Sequence, residues 1–116
     1  GRVHWGSEEL TETYYALRVR ICTWAFRIVD ALDLSRENVS VTMELLDRFL
    51  GTIDEEAIDG QAVQIAAIAC LYISTKSFDS WRIAFSDMCQ VTSAGQFSAE
   101  QIKATEWTIL LALNWR

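Results

Sequence analysis

At 116 residues, with 51% hydrophobic and 22% charged, the chain has the length of one domain and enough apolar material for a core, which excludes the disordered class. Its net charge of −6 argues against non-specific nucleic-acid binding, which needs a basic footprint. The three cysteines, Cys22, Cys70 and Cys89, are odd in number and set among apolar residues; they read as small buried hydrophobes in a reducing compartment, nucleus or cytoplasm, and exclude a disulfide framework.

The whole of 1–116 reads as a single domain, with residues 1–6 a flexible terminus lacking the apolar run of a signal peptide. Ser7 is placed to cap a first helix, with Glu8, Glu9 and Glu12 favourable against the positive end of its dipole. That helix runs to about Leu32. Tyr14, Leu17, Ile21, Trp24, Phe26 and Ile28 recur along it at three- and four-residue spacings and predict one broad apolar face. There is no proline, so breaks must come from Gly, Ser and Asp, and Asp33-Leu34-Ser35 supplies the first. Ser35 or Asn38 caps a second helix carrying Val39, Met43, Leu46, Phe49 and Leu50, with Gly51 its C-terminal stop.

The loop that follows holds Asp54, Glu55, Glu56 and Asp59, without the glycine-centred spacing of a calcium loop; these acids read as the lead-in to the next helix, which Asp59 caps. From Ala62 to Ile73 the single polar residue is Gln64, and Val63, Ile65, Ala66, Ala69, Cys70 and Ile73 cover most of the helix circumference. A helix apolar nearly all round belongs at the centre of a protein, and this one is short of the about 20 residues needed to cross a bilayer. A short fourth helix is predicted over 81–89. Ser98 with Gln101 forms a capping box that opens a fifth, whose buried stripe is Ile102, Ile109, Leu110 and Leu113. The fold class is all-α: five helices, the apolar third of them at the centre.

Catalysis is hard to build from these residues. His4, the one histidine, lies in the terminus, CxxC and HExxH spacings are absent, and the five glycines form no phosphate-cradling loop. We expect no enzyme activity, no cofactor and no metal, but a protein that works by presenting a surface.

Four fragments, in order, resemble the cyclin box, the five-helix module by which cyclins bind and activate cyclin-dependent kinases. They are Leu17-Arg18-Val19-Arg20-Ile21 with Trp24; Leu46-Asp47-Arg48-Phe49-Leu50; Ile73-Ser74-Thr75-Lys76; and Glu106-Trp107-Thr108-Ile109-Leu110 followed by Leu113-Asn114-Trp115. The last looks closest to plant-like, D-type forms. The resemblance implies the N-terminal box of a longer cyclin, a non-catalytic partner of a serine/threonine kinase with no membrane or nucleic-acid partner. It places Lys76 and Glu106 on the kinase's regulatory helix, with apolar kinase contacts from Ile73, Leu110 and Trp115. From spacing alone, Lys76 and Glu106 would be an ordinary salt bridge between helix ends. Following the lysine, Ser77-Phe78-Asp79 departs from the family, displacing an aromatic by one residue and losing one acid.

The resemblance also makes Arg18 and Asp47 a buried pair between the first two helices, whose breaking would cost about 3–5 kcal/mol. Finally, Leu17, Ile21, Trp24, Val63 and Gln64 match a groove in which several cyclins dock substrates or inhibitors bearing an Arg-x-Leu motif. Here Arg20 replaces an apolar residue and Arg27 an acid, a cation that would repel such a peptide, so the groove reads as altered or inactive, and plain packing of the first helix on the third is the preferred reading. A cyclin-fold transcription-factor-type adaptor is the alternative function; such modules use basic surfaces on DNA, against the acidic balance here.

Overall fold

A computed structural model describes residues 8–53, 59–78 and 96–114. These form four helices, α1 (Glu8–Ala31), α2 (Glu37–Leu50), α3 (Gly60–Phe78) and α4 (Ala99–Ala112), with no strand among the described residues. The class is all-α. The predicted helix over 81–89 lies outside the described residues, as do Ser7, Cys89 and Trp115, so α4 is the fifth helix of the sequence reading.

Helix ends follow from local chemistry. At the end of α1, Asp33 adopts a left-handed conformation with φ of 56°. Its N–H donates to the Asp30 carbonyl at 3.2 Å and that of Leu34 to the Val29 carbonyl at 2.8 Å. This is a Schellman closure with aspartate in the position glycine usually takes, sealed by burial of Val29 and Leu34. Asn114, with φ of 54°, ends α4 in the same hand. Gly51 does follow the last residue of α2, but with φ of −68° and ψ of −16° it stays right-handed, so its glycine freedom goes unused.

The start of α2 corrects a sequence expectation. Ser35 Oγ accepts from the Glu37 amide at 3.2 Å, but Asn38 does not cap: it sits inside the helix, fully buried. Its Nδ2 donates to the Ser35 carbonyl at 2.8 Å, and its Oδ1 accepts from Ser74 Oγ of α3 at 2.7 Å. A buried amide needs such partners, and here they tie the start of α2 to the end of α3. Asp59 caps α3 as expected, its Oδ1 accepting from the Ala62 amide at 2.7 Å.

α3 is the centre. Val63, Ala66 to Leu71, and Ile73 to Thr75 are all buried, and it packs closely on both α2 and α4, while α1 lies mainly on α2. The alanines among them let the neighbouring backbones approach. α2 contributes Val39, Met43, Leu45, Leu46, Phe49 and Leu50 to the same core, each large side chain supplying about 1.5–3 kcal/mol of burial. On α1 the buried face is Ile21, Ala25, Ile28 and Val29. Phe26 falls off it: it is 37% exposed, with the Arg36 guanidinium 5.4 Å above its ring. One residue from Ala25 means about 100° of rotation, which turns Phe26 towards solvent.

Candidate functional site

Lys76 stands in the last turn of α3 and Glu106 two turns into α4. The register of α4 is set at its start, where Ser98 Oγ accepts from the Gln101 amide at 3.0 Å and Gln101 Oε1 accepts from the Ser98 amide at 2.8 Å. With the helix so fixed, Lys76 Nζ donates to Glu106 Oε2 at 2.6 Å. The two partners differ in exposure, 49% for the lysine side chain and 11% for the glutamate. A carboxylate this buried needs charge-assisted bonding, and the C-terminal end of α3 also favours the cation. The ammonium lies 4.8 Å from the centre of the Tyr72 ring, one turn back on α3. Tyr72 was missed by sequence reasoning; its spacing of four from Lys76 was the available signal.

The pair does not exhaust its hydrogen-bonding capacity. Among the described residues Glu106 Oε1 has no hydrogen bond, and the ammonium, with three donors, makes one. A half-exposed donor and a spare acceptor therefore sit side by side on two rigid helices. Leu110, one turn beyond Glu106, is half-buried. Ile73 is 5% exposed and belongs to the core beneath. Beside Leu110, Trp107 and Leu111 are each 64% exposed, an apolar pair one turn apart that the sequence reading did not single out. Trp115 lies outside the described residues.

Arg18 and Asp47 join α1 to α2 through a forked contact: Nε lies 3.0 and 3.2 Å from the two carboxylate oxygens and Nη2 2.7 Å from Oδ2. Their side chains are 37% and 38% exposed, so the pair is half-buried, and the cost expected for a buried pair does not apply.

Because α1 leans on α2, an open groove of about 480 Å³ separates it from α3. Leu17, Ile21, Trp24 and Gln64 line it together with Arg20, Ala67, Ile68 and Phe97. Val63 does not: at 1% exposure it is part of the core underneath. Gln64 Oε1 accepts from Gln96 Nε2 at 3.1 Å on the rim. Among the described residues no group of His, Cys, Asp and Glu is arranged to hold a metal ion, and no helix is long and apolar enough to cross a membrane.

The family model for "Cyclin, N-terminal domain" matches residues 7–116. Cyclin-B1-2 of Arabidopsis thaliana is 28% identical over 105 residues, covering 90% of this chain and 23% of the relative. For G2/mitotic-specific cyclin-2 of Antirrhinum majus the identity is 25% over 99 residues, covering 85% and 22%. Cyclin-D2-1 of Oryza sativa subsp. japonica is 27% identical over 101 residues, covering 87% and 33%. Plant B-type and D-type cyclins are thus both among the relatives, and the chain spans between 22% and 33% of the length of these three.

Proposed function

The chain belongs to the cyclin family, and on that premise we propose that it binds and activates a cyclin-dependent serine/threonine kinase in cell-cycle control. The observation that carries this reading is the Lys76–Glu106 pair, 2.6 Å apart, with donors and an acceptor to spare. An ammonium offers N–H groups to exposed carbonyls and a carboxylate accepts from exposed amides. Held together on rigid helices, they recognise a backbone segment without demanding particular side chains. Leu110, and Trp115 along the chain from it, supply the apolar contacts around this polar centre, and Ile73 supports the face from the core. Engaged in this way, the kinase's regulatory helix is held inward. That position completes the kinase's own Lys–Glu pair and favours an ordered activation loop. All bond-making chemistry belongs to the kinase.

The direct test is turnover. Purified cyclin-dependent kinases are assayed with a peptide substrate while this chain is titrated in. Saturable stimulation of at least one kinase is the expected result. Turnover indifferent to the chain at every concentration, across the panel, would overturn the proposal.

A further inference from the structure

The end of α3 is braced from two sides. Ser74 and Lys76 stand two residues apart there, about 200° round the helix, so one reaches α2 and the other α4. Ser74 is fully buried. Its Oγ donates to Asn38 Oδ1 at 2.7 Å and lies 3.3 Å from the Asn38 carbonyl oxygen. Asn38, fully buried as well, is itself held in place. Its Nδ2 donates to the Ser35 carbonyl at 2.8 Å, and its own carbonyl accepts from Thr42 Oγ1 at 2.6 Å. On the other side Lys76 Nζ donates to Glu106 Oε2 at 2.6 Å. A helix end lacks intrahelical partners for its last carbonyls and frays readily. Lys76 stands at such an end with its side chain half-exposed, so a partner that recruits the ammonium loosens its hold on Glu106. The Asn38–Ser74 bond is out of that partner's reach, because both residues are wholly buried.

We propose that Asn38 and Ser74 are positioning residues for the kinase-binding face and act through Lys76. Their buried hydrogen bond fixes the last turn of α3 against α2. The ammonium is thereby presented at one place before a partner arrives, and stays there once engaged. A hydrogen bond between two buried groups has a narrow geometry and is costly to break. A binding group whose supporting residues are locked binds more tightly, because less freedom is lost on association. The inference rests on the kinase reading above and adds to it two residues that touch no partner themselves.

The test is the kinase titration repeated with Ser74→Ala, at a temperature where circular dichroism shows each variant folded. Asp47→Ala, which breaks the Arg18 contact between α1 and α2 instead, is the control for lost stability. Ser74→Ala should need roughly three- to tenfold more chain for half-maximal stimulation, while Asp47→Ala stays with the parent. In a Lys76→Ala background the extra loss from Ser74→Ala should shrink to less than about twofold, since the residue it acts through is gone. Without kinase, hydrogen exchange should show the amides in the last turn of α3 opening faster in Ser74→Ala. Ser74→Cys, a weaker donor of similar size, replaces the alanine variant if that one fails to fold. An unchanged half-maximal concentration or unchanged exchange overturns the proposal. So does an equal shift in Asp47→Ala, or an undiminished loss in the Lys76→Ala background. A parent that stimulates no kinase overturns the kinase reading and this inference with it; a stimulating parent with indifferent variants overturns this inference alone.

Discussion

The thiol of Cys70, on α3, is wholly buried in the core, where burial, aided by the nearby Asp47 carboxylate, pushes its pKa up from the ordinary 9.0 to about 12. The folded chain therefore holds this proton at pH values where the unfolded chain has released it. Stability linked to the thiol is fully present below the unfolded pKa and is lost as pH rises towards the folded one, at up to about 1.4 kcal/mol per pH unit. Melting curves between about pH 8 and 10 should accordingly fall more steeply for the parent than for Cys70→Ala, whose smaller side chain fits the site. Parallel curves would contradict this. Asp47 makes a second prediction. Because its pair with Arg18 is half-exposed, Asp47→Ala should cost about 1–2 kcal/mol, less than a buried pair would. A domain of this size should then melt roughly 5–10 °C lower while staying folded at room temperature. An unfolded variant, or one melting with the parent, would refute it.

At the level of the helices, what the sequence discloses depends on how far the partner lies along the chain. The Ser98–Gln101 capping box and the Asp59 cap are contacts over three residues, and both are legible in the letters. So is the buried set of α2, which follows helical period. Asn38 is different. Its type and position fit a cap, but its Oδ1 partner is Ser74, 36 residues away, and no local rule announces that bond. Phe26 failed for a different and local reason: it follows Ala25 by one residue, so the helix turns it about 100° off the buried stripe. Urea unfolding should show Ser74→Ala losing about 1–2 kcal/mol of stability, with Asn38→Ala losing more because the Ser35 link goes too. The double variant should lose clearly less than the sum of the two. Strict additivity would mean that the Asn38–Ser74 bond contributes nothing.

Across the molecule, the all-α class and the central place of α3 could be read from composition and periodicity, because a helix apolar on every side has one stable location. The pairing of Lys76 with Glu106 needed more. The two lie 30 residues apart, and spacing alone does not separate a recognition pair from an incidental salt bridge. The geometry adds the features on which the kinase proposal rests: a largely buried carboxylate with one oxygen unengaged among the described residues, a half-exposed ammonium, and exposed Trp107 and Leu111 alongside. The open groove was named through the resemblance, and Leu17, Ile21, Trp24 and Gln64 do line it, but residue spacing alone did not separate it from plain packing, since it exists because α1 leans on α2.

The most direct measurement is the affinity of the chain for a cyclin-dependent kinase, by calorimetry, beside a Lys76→Ala, Glu106→Ala double variant whose helicity is checked by circular dichroism. Truncating central anchors typically costs about 2 kcal/mol or more each, so the double variant should bind at least roughly tenfold more weakly while remaining helical. Equal affinity of parent and folded double variant would contradict the account by removing these two residues from the kinase face.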